Sequence, residues 1–368
     1  MSGEVDILRR QNTDSPIGSA PVDAPIDKGT SMNFAKMSFI CACMIVYLHT
    51  GCAADGEVIG RWCNEFIASV CRIAIPWFFF AAGFFLARHT REKGWWGREL
   101  KKRFHTLVIP FWIWGTIICL FYGTIGLIVK YVGYDYHGVD ATRWFSVNGI
   151  MRVIGLDVTA NMPTMWFLRT LFIFVALSPL IVAGCRKFLG IVFVLYVLFV
   201  VCRNYLPTVC CYFFEYLLSL RGLVYFSAGI VFLGCRRKMA LPLFVKHIVC
   251  IGGLGLLCCK VFVETLDIYG VIDIAMVPVV MMLVFGVVKH IKLPQVFVTC
   301  SFPMYVVHVM IAYLISAVYG VIGIGGEGKT LFVLGLLRFS LTIALAITTT
   351  LVMRMSLPRF SRVAFGGR

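Results

Sequence analysis

The sequence predicts an all-α fold: a polytopic helical bundle in a membrane, with about ten transmembrane helices and both termini cytoplasmic. Three observations predict it. Of 368 residues, 60% are hydrophobic and 14% charged, whereas soluble domains run at about a quarter charged and under half apolar. Apolar stretches of about 20 residues recur along the chain, each long enough to cross the hydrocarbon core as a helix. Those stretches are continuous rather than alternating, which speaks against a β-barrel.

Taken in order, residues 1–31 are polar, with scattered Asp, Ser, Pro and Gly and no apolar leader segment. They read as a disordered cytoplasmic tail, which leaves the first span to act as the insertion signal. A membrane domain follows over 32–355. Its apolar runs, cut at charged breaks, predict spans near 34–52, 66–87, 107–129, 165–184, 189–206, 212–235, 245–266, 271–288, 299–320 and 331–353. The fifth and sixth are interrupted by Arg203, Pro207, Glu215 and Arg221. Residues 356–368 form a short basic cytoplasmic tail.

Orientation follows from the loops. Seven basic residues fall between 88 and 103 alone, and 23 of the 34 Lys and Arg lie on the side that also holds the termini. With seven acids on that side, it carries the entire net charge of +16. The positive-inside rule makes this the cytoplasmic face. The same distribution excludes nucleic acid as the partner of the positive charge, which is spread over short loops flanking spans. The partner that this composition implies is the lipid bilayer. The 88–103 cluster is denser than orientation requires. Lys101, Lys102 and Arg103 are candidates for binding anionic headgroups or the phosphates of a cytosolic cosubstrate.

Most of the fifteen cysteines sit inside apolar runs, where cysteine acts as a small hydrophobe. Cys210-Cys211 and Cys258-Cys259 lack the spacing of a metal or redox pair, so no metal is expected.

Five stretches carry more specific information. "MSFICACMIVYLHTG" (37–51) sets Ser38 and His49 on one face of the first span, about 16 Å apart. "CRIAIPWFFFAAGFFLA" (71–87) has Arg72 with Pro76 one turn on, then Gly83. "KKRFHTLVIPFWIW" (101–114) enters the third span, "MWFLRTLFIFVALSPL" (165–180) the fourth and "SFPMYVVHVMI" (301–311) the ninth. In order and spacing these resemble the motifs of the integral membrane acyltransferase family 3 from residue 34 to about 320.

That resemblance implies a membrane O-acyltransferase that moves an acyl group, often acetyl, from cytosolic acyl-CoA to a hydroxyl of an extracytoplasmic glycan or glycolipid. No bound cofactor is implied, only acyl-CoA as cosubstrate. The location implied is the cytoplasmic membrane of a bacterium. His49 carries over as the catalytic residue and Arg72 as the second-helix arginine; Tyr305 and His308 match the late tyrosine and histidine. Two positions depart from the family pattern. Ser38 stands where a basic residue is expected, and Ala82 replaces the serine before Gly83. Lys36 is no substitute, lying about 220° around the helix from His49.

Ionisable groups within spans usually face an interior cavity, so His49, Arg72 and Arg169 are candidates for a site in the outer half of the bilayer. His49 would act as general base or as an acyl-carrying nucleophile, and Arg72 or Arg169 would stabilise the oxyanion. The carboxylate that orients His49 is open among Asp55, Glu57 and Glu65. Trp166, Arg169, Ser301, Tyr305 and His308 are substrate-binding candidates, the last three as a polar stripe leading from the cytosol toward His49. Each also has a structural reading: snorkelling for the arginines, interhelical hydrogen bonding for the stripe, and an interfacial belt for Trp166. A transporter or flippase of a lipid-linked glycan is the rival class, although no inverted repeat is visible.

Overall fold

The computed structural model describes residues 27–50, 58–132, 144–157, 164–235, 251–252, 255, 269–322 and 329–367. All regular structure among them is helical. Among the described residues, eight helices are long and apolar enough to cross a membrane: Lys28–Thr50, Cys63–His89, Trp95–Ile128, Trp166–Ala183, Cys185–Tyr205, Thr208–Leu233, Ser301–Gly320 and Phe332–Ser356. The chain is thus a multi-pass membrane protein. Of the two other expected spans, 245–266 lies almost wholly outside the described residues. The span near 271–288 is a helix, Tyr269–Val288, whose apolar part is only Ile274–Val288.

The first helix, α1 (Lys28–Thr50), begins before the expected span because Asp27 caps it. Its carboxylate accepts from the Thr30 backbone N–H and hydroxyl, each at 2.6 Å, which satisfies donors the first turn leaves unpaired. The second span is two helices, α2 (Val58–Cys71) and α3 (Ala74–Leu86), with a turn at Arg72 and Ile73. Pro76 explains the break. It has no N–H to give the Arg72 carbonyl, so the helical ladder opens there.

The basic 88–103 segment is not all loop. Residues Trp95–Arg103 form α4, which runs through a π-turn (Phe104–Val108) into α5 (Ile109–Val132). Glu99, buried on α4, pairs with Lys102 at 3.6 Å and Arg103 at 3.3 Å. After α6 (Val147–Ile154) come α7 (Trp166–Ala183) and α8 (Cys185–Cys202).

The interrupted sixth span comprises α9 (Thr208–Tyr212), a π-turn (Phe213–Leu217) and α10 (Leu220–Cys235). Helices α3 and α10 pack almost backbone to backbone. A Cβ on Gly83 would fall 2.0 Å from the Phe226 carbonyl oxygen, and one on Gly229 2.1 Å from that of Phe80. Small residues are what such close approach requires between spans.

The C-terminal half holds α11 (Tyr269–Val288), α12 (Gln295–Thr299), α13 (Ser301–Val321) and α14 (Lys329–Ser356). The basic tail docks as α15 (Pro358–Ala364). The Trp114 indole donates to the Ala364 carbonyl at 2.9 Å, and buried Phe365 stacks on the same ring.

Candidate active site

His49 lies one residue from the end of α1, exposed, while Tyr47 and Thr50 beside it are buried. Its ring meets that of His308 on α13, with centroids 5.3 Å apart. His308 is wholly buried. Its Nδ1 is 3.2 Å from the Met304 carbonyl oxygen, and its Nε2 has no hydrogen-bond partner among the described residues. A carbonyl can only accept, so Nδ1 carries the proton and Nε2 keeps a lone pair. A buried acceptor left unpaired beside a second imidazole is costly unless it is used.

Tyr305, one turn before His308, donates to the Thr164 carbonyl and is also buried. His49, Tyr305, Thr164 and Trp166 line a small cavity of about 30 Å³. The polar stripe on α13 is therefore packed rather than open at Tyr305 and His308. Ser301, at its start, returns its hydroxyl to the Val298 carbonyl at 2.7 Å.

A larger cavity of about 460 Å³ lies alongside. Trp166 and Ile75 belong to the walls of both, and Leu48 joins the larger one next to His49. This cavity gathers Arg72, Arg203 and Arg221 with Glu215. The Arg221 guanidinium donates to the Arg72 carbonyl at 2.9 Å, the very oxygen that Pro76 leaves without a helical partner. Arg203 pairs with Glu215 at 2.9 Å.

The sixth span is built around this cavity. Its π-turn carries Glu215 and Tyr216 into the wall. The helix restarts through Ser219, whose φ of 35° is uncommon for a residue with a side chain. Its hydroxyl accepts from the Gly222 N–H at 3.2 Å, capping α10. Irregular backbone within a span marks functional sites and persists where protein surrounds it.

Arg169 does not line either cavity. Its guanidinium donates to the Gly155 carbonyl at 3.2 Å, to the Asp157 carbonyl and to the Tyr216 carbonyl at 3.5 Å. It ties the α6–α7 connection to the π-turn. Asp55 and Glu57 lie outside the described residues. Glu65 is half-buried on α2, and among the described residues no carboxylate is within hydrogen-bond or ion-pair reach of His49. Nor do any three His, Cys, Asp or Glu converge as metal ligands would among the described residues. Lys101, Lys102 and Arg103 sit at the opposite end of the bundle from His49, by the run of the helices. Lys101 is exposed there and the other two share Glu99.

Arg203, Glu215 and Arg221 were not candidates from the sequence. Their only signal was that they interrupt apolar runs, which reads equally as loose span boundaries.

The acyltransferase family 3 model, described as an acyltransferase domain, matches residues 37–353. The chain belongs to acyltransferase family 3. The match runs from the residue before Ser38 into the last turn of α14 and covers every cavity-lining residue above. It supports membrane acyltransferase activity and gives no support to a transporter. Comparisons with curated proteins and with solved structures find no match. The departure at Ser38 has a structural counterpart. Its hydroxyl donates to the Phe34 carbonyl at 2.9 Å and accepts from the Trp77 indole at 3.2 Å, joining α1 to α3.

Proposed function

We propose that this acyltransferase is an O-acyltransferase of the bacterial cytoplasmic membrane. It takes an acyl group, acetyl in the first instance, from cytosolic acyl-CoA and gives it to a hydroxyl of an extracytoplasmic glycan or glycolipid. The observation that carries the reading is the histidine pair: an exposed His49 against a buried His308 whose Nε2 lone pair is unused.

A neutral imidazole has one N–H and one lone pair. Pointing the His49 N–H at His308 Nε2 leaves its other nitrogen as a base for the acceptor hydroxyl. His308 then does the orienting that a carboxylate does elsewhere, and it accepts a hydrogen bond from the imidazolium that forms. No hydrogen bond yet closes between the rings, and catalytic contacts often tighten only when substrate is bound.

The acceptor oxygen attacks the thioester carbonyl as its proton passes to His49. The new C–O bond forms, the C–S bond breaks, and the proton leaves with the CoA thiolate as free thiol. Arg72 offers positive charge to the oxyanion that develops as the thioester carbonyl is attacked. Arg169, occupied by three carbonyls, holds the wall instead. Trp166 and Tyr305 close around the reacting groups, and Ser301 bonds back to the Val298 carbonyl of α12.

The donor's phosphates dock on Lys101, Lys102 and Arg103, with the basic end of the bundle facing the cytosol. Since Ser38 supplies no charge on α1, this cluster is where the donor is held. The test is purified protein with labelled acetyl-CoA. His49-dependent release of CoA, together with an acyl mass missing from envelope glycans of a deletion strain, supports the reading. Intact acetyl-CoA in the presence of those glycans contradicts it.

A further inference from the structure

The 460 Å³ cavity asks for a particular kind of acceptor. Its described lining sets three guanidinium groups, Arg72, Arg203 and Arg221, against one carboxylate, Glu215, which lies within electrostatic reach of both Arg203 and Arg221. The side outside the basic loops carries eleven basic and eleven acidic residues with these four counted, so without them eight bases stand against ten acids. The excess of positive charge is therefore local to this cavity, not a property of the surface. Positive charge inside a span is expensive and is retained where it meets a partner of opposite charge. The guanidinium fork matches carboxylate and phosphate oxygens in pairs.

Much of the uncharged wall is aromatic. Trp166 and Tyr216 meet edge to face at 5.3 Å, and Tyr196, Phe199 and Phe214 also line the cavity. Aromatic walls with a few convergent charged groups, in a volume of this order, describe a small-molecule site rather than a packing defect. The flat faces suit the C–H faces of a sugar ring. Trp166 and Ile75 are shared with the small cavity at His49, so a sugar held here has its neighbouring hydroxyls beside that histidine. Arg221 is fixed by its bond to the Arg72 carbonyl, so the charge is pre-positioned at no cost on binding.

We infer that this cavity binds an anionic sugar, a saccharide unit bearing a carboxylate or phosphate, and that the acceptor of the transfer is an acidic glycan. The inference rests on the acyltransferase reading for the word acceptor, but the binding site stands or falls separately.

Glucuronic acid, glucose 1-phosphate and glucose, titrated calorimetrically into the purified full-length protein, test it. One or both acidic sugars should bind at least tenfold more tightly than glucose. Which of them does so distinguishes carboxylate from phosphate. Arg203→Gln should weaken the acidic sugar at least fivefold and leave glucose unchanged. Glu215→Gln should act in the opposite direction and tighten it, an outcome that misfolding cannot imitate. Equal binding of all three sugars, or no response to either substitution, overturns the inference. If that happens while acetyl-CoA is still discharged in a His49-dependent way, the acyltransferase reading survives and only the acidic acceptor falls. Selective binding of acidic sugars without any discharge keeps the site and sinks the reading of it as an acceptor site.

Discussion

Replacing His308 with leucine separates a working histidine from a packing one, because the two roles predict opposite balances of stability and activity. The substitution removes two things from a wholly buried position. One is the Nδ1 contact to the Met304 carbonyl at 3.2 Å, a hydrogen bond worth about 0.5–1.5 kcal/mol. The other is the unpaired Nε2, whose desolvation costs about 1–3 kcal/mol. Leucine fills much the same space, so the sum lies between a loss of about 0.5 kcal/mol and a gain of roughly 2.5 kcal/mol in stability. Turnover moves the other way. Without an acceptor behind it, His49 loses the orientation of its lone pair and a partner for its imidazolium. A fall of about 10- to 100-fold is expected, part of the usual general-base contribution. His308→Gln, which keeps an acceptor at the same depth, should recover part of the loss. Melting temperature in detergent and the rate of acetyl-CoA consumption are the readouts. Unchanged turnover in a His308→Leu protein of equal or greater stability would refute the reasoning.

Three further outcomes follow from other parts of the molecule. Cys63 is exposed on α2, so with the other cysteines removed an impermeant thiol reagent should label it in intact cells; labelling only after permeabilisation would reverse the orientation. Gly229→Ala places a Cβ 2.1 Å from the Phe80 carbonyl oxygen and should lower the melting temperature markedly, at about 1–3 kcal/mol of overpacking. Gly190→Ala meets nothing within 4 Å and is the control, expected to be neutral. Lys101→Gln, exposed and without the Glu99 tie, should weaken acyl-CoA binding about tenfold, the scale of one charge-assisted phosphate contact. An unchanged donor affinity would return α4 to an orientation signal.

The all-helical, multi-pass architecture is legible in the sequence because bilayer thickness fixes the length of an apolar run, and a helix is the plain solution to its backbone hydrogen bonds. The spacing of four and three that links Ser301, Tyr305 and His308 put them on one face, and α13 brings two of the three to His49. Helix ends were less legible. Asp27 starts α1 before the apolar run does, since a cap is a local hydrogen bond that hydropathy does not register. Arg169 looked like Arg72, an arginine opening a span. Only the fold shows that one reaches the carbonyls of Gly155, Asp157 and Tyr216 while the other lines a cavity. Glu215 and Arg221 were read as interruptions. A π-turn shifts helical register, so no periodicity in the sequence could place them on the same wall as Arg72.

The central claim is that His49 takes the proton of an acceptor hydroxyl. The most direct measurement is acyl transfer by His49→Ala and His49→Gln proteins that insert and melt like the parent. A loss of about 100-fold or more is expected in both, the scale of general acid–base catalysis, with acyl-CoA still bound. Near-normal transfer by a well-folded His49→Ala protein would contradict it.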